Sequence, residues 1–321
     1  MDPAADNFDL QHAPHWVAGT LWGLLSALGY ALTNIFLRRL SVDTDPAWAS
    51  CMKSLPTFLV AAVILARAAG KGQTVWPGAR AAWWLLATGL MVQFSGNLVF
   101  QWALGVIGLA LSVPLSFGTM IVASGLLGRL WLREPITPRM LAAMGLLLLS
   151  IALLSASAAD DSHQLPRSSS LEASPWLTTL GVVGACSTGI SYALVAVAVR
   201  LATRRLPVST TALIICGTGV FALGGVALLR LGMSGIAASF AARWPQLVGA
   251  GAFNVVGFFS LGFCLRYISV VHANVLNSAQ IAIAATCGVL WFGEPSDAAL
   301  VAGVALTIVG LVAMQYRGHA N

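Results

Sequence analysis

The chain contains ten apolar segments, and each is close to the ~20 residues that an α-helix needs to cross a bilayer. They cover residues 16–37, 47–67, 81–104, 108–131, 137–156, 176–199, 209–230, 245–265, 270–292 and 297–316. Hydrophobic residues make up 58% of the sequence and charged residues 9%, so too little polar surface exists to cover a water-soluble domain. The pattern predicts an all-α integral membrane protein with about ten transmembrane helices, with the lipid bilayer as its principal partner.

The two halves of the sequence are similar at an offset of 160 residues, which indicates an internal duplication. All three tryptophans of the second half fall on tryptophans of the first. Each copy contains five helices, an odd number, so the second copy must cross the membrane in the opposite sense, as in the inverted repeats of many transporters. We predict repeats at 16–156 and 176–316, a polar linker at 157–175, and tails at 1–15 and 317–321. The matched residues are Trp16 and Trp176, Trp84 and Trp244, Trp131 and Trp291, Glu134 and Glu294, and Pro135 and Pro295.

The basic residues indicate the orientation of the helices. With the N-terminus inside, eleven Lys and Arg residues fall in inner loops and helix ends and five in outer ones, which favours cytoplasmic termini. The net charge of +6 is therefore an orientation signal, and no nucleic-acid partner is predicted. Residues 1–15 carry no Lys or Arg and so lack the basic start of a cleaved signal peptide. We expect a multi-pass protein of the inner (plasma) membrane that keeps its first helix and exists as a monomer or homodimer.

Lys53 is the one basic residue well inside an apolar segment. An ammonium group near the middle of a bilayer costs roughly 2.5–3.5 kcal/mol, so Lys53 is a candidate functional residue. Pro56 removes the amide hydrogen bond to the Met52 carbonyl, and the cation and that carbonyl together would suit an anionic or zwitterionic ligand. In the alternative interpretation, Lys53 extends along its helix to the membrane surface.

Neutral polar side chains form groups on several of the predicted helices. Gln93, Asn97 and Gln101 recur every four residues and would form one stripe on the third helix. Hydrogen bonding between helices explains any one of these residues, whereas the whole set, drawn from both repeats, favours a hydrated central cavity. The other candidates for substrate binding are Asn34 in the first helix, Ser187, Ser191 and Tyr192 in the sixth, and Asn274, Asn277 and Gln280 in the ninth.

The sequence lacks the groups that enzymes and ATP-driven pumps need. All eleven acidic residues fall in tails, loops or helix ends, so no carboxylate relay crosses the middle of the membrane. There is no GxxxxGK[ST], HExxH or GxSxG motif, and the five cysteines have no metal-binding spacing. We predict no enzymatic activity, no catalytic residue, no metal site and no cofactor.

Both repeats end with a similar motif. The segments are LLGRLWLREPITPRMLAAMGLLLLSIALL at 126–154 and GVLWFGEPSDAALVAGVALTIVGLVAM at 288–314, and each has an aromatic-x-x-Glu-Pro turn before its last helix. In this the chain resembles the EamA-like family of the drug/metabolite transporter superfamily. The resemblance implies a ten-helix bundle, cytoplasmic termini and a central cavity, in a carrier that exports or exchanges amino acids, other metabolites, nucleotide sugars or drugs without ATP. The chain departs from the family pattern in having no carboxylate in the core of its predicted helices. This argues against proton coupling through a carboxylate and leaves facilitated diffusion or exchange as the open transport mechanisms.

Together these features predict a carrier of small polar or zwitterionic metabolites that works by alternating access around a midplane site. Lys53 would hold a substrate carboxylate, while Asn97, Gln101, Asn274 and Asn277 would bind its polar groups. Glu134 and Glu294 would have a structural role, each accepting hydrogen bonds from backbone amides at the start of the following helix. Two alternatives stay open: a flippase for lipid or lipid-linked substrates, and a membrane receptor that binds without transporting.

Overall fold

The computed structural model describes residues 13–40, 43–72, 76–134, 136–161, 175–292 and 298–315. Within these ranges the chain is helical and contains no β-strand, so the predicted all-α class is confirmed there. Two π-helical segments, Val92–Leu98 and Gly219–Leu223, join α3 to α4 and α7 to α8. The helices are α1 Ala13–Leu40, α2 Pro46–Gly70, α3 Ala79–Met91, α4 Val99–Trp131, α5 Pro138–Asp161, α6 Pro175–Thr203, α7 Val208–Thr218, α8 Gly224–Tyr267, α9 Val270–Phe292 and α10 Ala298–Gln315.

Several of these helices can cross a membrane, which confirms a multi-pass membrane architecture. Five helical stretches are long and apolar enough to do so: Trp16–Leu37, Pro46–Gly70, Ala79–Ala103, Trp176–Thr203 and Val208–Tyr267. Shorter apolar helices cover Leu115–Trp131, Met140–Leu153 and Val301–Gly310. The count of ten spans stays a prediction.

Helix continues at two places where the sequence predicts a loop. Residues 105–107 are helical, although Gly105 is of the type that often follows a helix end. Val208–Tyr267 would be about 90 Å long if it were straight, about three times the thickness of the hydrocarbon core. It is interrupted at Gly232, whose φ of 64° lies in the left-handed region that favours glycine, and at Arg243.

The first helix of each sequence half packs against helices of the other half. Helix α1 contacts α8 and α9, while α6 contacts α4 and the π-helical segment Val92–Leu98. The backbones of α1 and α8 approach closely, because a Cβ atom on Gly29 would lie 2.6 Å from the Gly257 amide nitrogen. Ser26 adds a hydrogen bond of 3.0 Å to the Gly257 carbonyl. The two halves therefore form one interleaved bundle.

Pro56 in the middle of α2 is a packing site for α8, since a Cβ on Gly251 would lie 2.5 Å from its ring. A Cβ on Gly251 would lie 2.9 Å from the Met52 carbonyl oxygen, so this carbonyl faces the backbone of α8. One turn further along α8, Asn254 donates a hydrogen bond of 2.9 Å to the Thr57 hydroxyl. The sequence predicts that the Met52 carbonyl binds a ligand together with Lys53. In the structure this carbonyl packs against α8 instead.

Candidate functional site

Lys53 is joined to three of the predicted polar residues by a chain of hydrogen bonds. Its Nζ donates to Asn97 Oδ1 at 2.8 Å, and the Tyr192 hydroxyl donates to the same oxygen at 3.2 Å. Asn97 Nδ2 in turn donates to Gln93 Oε1 at 2.7 Å. The first repeat supplies Lys53, Gln93 and Asn97, and the second supplies Tyr192. We refer to these four residues as the Lys53 network.

The two π-helical segments position the Lys53 network. Gln93 and Asn97 lie in the first π-helical segment, Val92–Leu98. Gln93 Nε2 donates a hydrogen bond of 3.3 Å to the carbonyl of Ile215, which lies four residues before the second π-helical segment. A Cβ on Gly219 would lie 2.6 Å from the Ser54 hydroxyl and 2.8 Å from Gln93 Nε2, so the Gln93 amide packs closely against the start of the second π-helical segment. π-Helical turns are rare in proteins and frequently lie at functional sites.

The partners of Lys53 are neutral. Across the residues that the structure describes, no carboxylate forms an ion pair with it, and its described hydrogen-bond partner is the Asn97 amide oxygen. An ammonium group has three N–H donors, so two remain for other acceptors. Because a cation among membrane helices is costly without an anion, the arrangement suits a ligand that carries a carboxylate or another anionic group.

The polar residues of α9 join that helix to α1 and α4. Asn34 Nδ2 donates to Gln280 Oε1 at 2.9 Å, and Ser26 donates to Asn277 Oδ1 at 3.3 Å. Asn274 Nδ2 donates to the Ser124 hydroxyl at 2.5 Å. Asn274, Asn277 and Gln280 are buried, whereas Asn34 is exposed, so the Asn34–Gln280 pair is the accessible part of this group.

The serines of α6 hold that helix against the first π-helical segment. Ser191 donates to the Ser95 hydroxyl at 3.0 Å, and Ser95 is 3.5 Å from the Ser187 hydroxyl. Thr188 also donates to the Ser95 carbonyl at 3.0 Å. Hydrogen bonds of this kind hold membrane helices together. Neither Ser95 nor Asn254 is among the candidates predicted from the sequence, although each is a polar residue within an apolar segment, the same signal that indicates the other candidates.

Gln101 lies apart from the Lys53 network. It lines a groove with Trp102 and Arg230, and no hydrogen bond of the described residues links it to Asn97. The predicted stripe assumed a regular α-helix, but the π-helical segment ends at Leu98 and its i→i+5 bonding changes the register before Gln101. The structure therefore brings Gln93 and Asn97 together and directs Gln101 elsewhere.

Glu134 lies at one end of the bundle and contacts the second half of the chain. Its Oε2 accepts a hydrogen bond of 3.1 Å from the Val270 amide, and its Oε1 is 3.6 Å from Arg200 Nε. The prediction that Glu134 caps the following helix, α5, is therefore wrong, because its described amide partner is at the start of α9. The reason is the chain turn at Arg133, which has a φ of 54° and reverses the chain after α4.

Arg200 extends the contacts of Glu134 to a third helix. Its Nη1 donates to the Leu265 carbonyl near the end of α8. Burial raises the pKa of the Glu134 carboxyl above its ordinary value, and Arg200 and the Val270 amide oppose that rise. The charge of the carboxylate thus depends on groups supplied by the second half of the chain.

The remaining motif residues are described only in part. Trp131 is exposed and forms an edge-to-face contact with Trp84, their ring centroids 6.5 Å apart. Only the backbone of Trp291 is described. Pro135, Glu294 and Pro295 lie outside the described residues, and so does most of the predicted linker, although α5 continues to Asp161.

Comparisons with known proteins agree with the fold. The model of the EamA-like transporter family matches residues 17–156 and 179–316. Among solved structures, 28 chains match, and one described as "Crystal structure of protein" aligns with a TM-score of 0.72 at 17% identity, over 92% of this chain and 98% of that one. At this identity the likeness shows the fold alone. No curated protein sequence matches the chain.

Proposed function

Because this chain belongs to the EamA-like transporter family and is a membrane transporter of the drug/metabolite type, we propose that it is a secondary carrier of small zwitterionic metabolites such as amino acids. It works without ATP, as an exporter or exchanger. The two repeats rock about a site near the midplane and expose it to each side of the membrane in turn.

The observation that carries this proposal is the setting of Lys53. The ammonium group is bound by Asn97 and lies within a network to which both sequence halves contribute, and the described residues offer no carboxylate to neutralise it. A substrate carboxylate would supply the missing negative charge. The neutral amides and hydroxyls around it would bind the ammonium and other polar groups of the substrate without adding a competing charge.

Substrate flux tests the proposed activity. We expect at least one amino acid from a radiolabelled panel to show saturable counterflow in proteoliposomes that contain the purified protein. The corresponding amine, which lacks the carboxylate, should neither exchange nor raise the melting temperature, because it offers Lys53 no anion. Protein-free liposomes are the control. Saturable binding of an amino acid without any flux would favour the receptor alternative and contradict a carrier.

The proposed mechanism requires ten spans in two inverted repeats, with both termini in the cytoplasm. In support, residues that this topology places on the same side of the membrane contact each other in the structure. Glu134 contacts Arg200 and Val270 on one side, and Asp45 contacts Arg230 at 3.1 Å on the other. These are the two opposite ends of the helices concerned. The contacts are those expected if successive helices cross the membrane in alternating directions.

Labelling of single cysteines tests the inverted topology. Residues 133 and 293 are equivalent at the offset of 160, so a cysteine at 133 should react with a membrane-impermeant maleimide only from the cytoplasmic side, and one at 293 only from the opposite side. The background is a variant without the five native cysteines. Labelling of both positions from the same side would exclude inverted repeats.

A second groove supports a flippase as the other candidate. It has a volume of about 440 Å³ and lies between α2, α3 and α7, where Phe58, Trp83, Leu90 and Phe221 give it apolar walls. A groove of this kind on a membrane bundle would accept an acyl chain from the side. Transport that requires an acyl chain on the substrate, and fails with free amino acids, would favour the flippase.

A further inference from the structure

A groove of about 470 Å³ lies at the end of the bundle where α2 begins. Leu98, Val99 and Trp102 of the π-helical segment and α4 form an apolar wall, and Pro46 is the first residue of α2. Trp102 is 44% exposed, so the wall faces the surroundings of the bundle. The polar residues among those that line the groove are Gln101 and Arg230.

Arg230 lies on a surface that the bundle turns toward lipid. Its neighbours Leu229 and Met233 are 88% and 71% exposed, as apolar residues are where a membrane helix faces acyl chains. The Arg230 side chain itself is 58% exposed. A guanidinium group on such a face is stable only close to the level of the headgroups, where an anion or water can reach it.

The counter-ion of Arg230 is already engaged within the protein. Arg230 Nη1 is 3.1 Å from Asp45 Oδ2, while Asp45 Oδ1 accepts hydrogen bonds from the Ala47 and Trp48 amides as the N-cap of α2. Asp45 is nearly buried, at 7% exposure. The Nε and Nη2 atoms of Arg230 carry three further N–H donors, which a second anion in the groove would accept.

We propose that this groove binds a glycerophospholipid. The phosphate diester accepts hydrogen bonds from Arg230 and from the Gln101 amide, and one acyl chain lies along Leu98, Val99 and Trp102. Arginine binds phosphate oxygens through paired N–H groups. A free phosphate ion would use only the two polar residues, whereas a lipid also covers the apolar wall. An anionic lipid is favoured over one with a trimethylammonium headgroup, which Arg230 would repel.

Native mass spectrometry of the full chain with added palmitoyl-oleoyl phosphatidylglycerol tests this site. We expect Arg230→Gln to weaken binding of the first lipid about tenfold, because a charge-assisted hydrogen bond is lost. Val99→Trp fills the groove, keeps the ion pair with Asp45, and should weaken binding to a similar degree. Arg243→Gln is the matched control, since Arg243 also pairs with an aspartate, Asp43, but does not line the groove.

Three results would overturn the proposal. Equal losses for Arg230→Gln and Arg243→Gln would mean that the lipid is attracted by charge alone. Undiminished binding by Val99→Trp would place the acyl chain elsewhere, and this variant decides the outcome if Arg230→Gln fails to fold. Displacement of the lipid by glycerol 1-phosphate at equal concentration would identify a soluble phosphate ester as the ligand instead.

Discussion

Replacing Lys53 by methionine should lower the apparent affinity for a transported amino acid about 30-fold or more. Removing one member of a buried, hydrogen-bonded charge pair costs about 2–5 kcal/mol, and about 1.4 kcal/mol corresponds to a factor of ten. Counterflow measured across a range of amino acid concentrations gives this change. The stability of the empty protein should stay the same or rise, because the variant removes a cation that has no carboxylate partner among the described residues.

The matched control for Lys53→Met is Lys71→Met. Lys71 is the only other lysine of the chain and lies exposed at the end of α2. This variant should transport like the unmodified protein. Lys53→Arg, which keeps the charge, should retain part of the affinity. Unchanged transport by Lys53→Met would exclude a carboxylate contact at Lys53, and a loss shared equally by Lys71→Met would point to a general effect of charge.

The family and the membrane class could be predicted from the sequence because both depend on patterns along the chain. Apolar segments of suitable length indicate the membrane, and the repeated Trp-x-x-Glu-Pro motif identified the family that the match over 17–156 and 179–316 confirms. Neither pattern needs knowledge of which helices touch. That is why the interleaving of α1 with α8, made possible by the close approach of Gly29 and Gly257, appeared only in the structure.

The partners of the polar residues could be predicted only in part. Lys53 was selected because a cation in an apolar segment is conspicuous, but its neighbour is Asn97 of another helix, and the Met52 carbonyl faces Gly251. Gln93 and Asn97 meet as expected for residues four apart. Gln101 does not follow them, because it lies beyond the end of the π-helical segment Val92–Leu98, whose i→i+5 bonding changes the register of the helix.

The partners of Glu134, at the end of α4, also could not be predicted from the sequence. A glutamate just before a helix is expected to cap that helix, and the expectation considers only residues close in sequence. Arg133 takes up a left-handed conformation, and the Glu134 amide bonds back to the Gly128 carbonyl at 3.0 Å, which reverses the chain. The carboxylate then contacts Arg200 and Val270, more than sixty residues away along the chain.

The contact between Glu134 and Arg200 is expected to hold the two halves of the chain together at the end that the topology places in the cytoplasm. Both side chains are nearly buried, so removing one leaves the other without a counter-ion. We expect Glu134→Gln and Arg200→Met each to lower the free energy of unfolding by about 3–5 kcal/mol, measured by denaturation in mixed micelles. The double variant should lose less than the sum, because it leaves no unpaired charge. Asp43→Asn breaks the more exposed ion pair with Arg243 and should cost less than about 1 kcal/mol.

The same pair should control access from the cytoplasmic side. Cys264 is fully buried on α8, next to the Leu265 carbonyl that Arg200 binds, so in a variant with this cysteine alone it reports opening of that end. Glu134→Gln should increase its rate of reaction with an impermeant maleimide added from the cytoplasmic side, because the carboxylate no longer holds Arg200 across the two halves. Asp43→Asn should leave that rate unchanged. A Cys264 that stays unreactive in a folded Glu134→Gln variant would show that the ion pair stabilises the bundle without closing it, and the expected control of access by Glu134 and Arg200 would then be wrong.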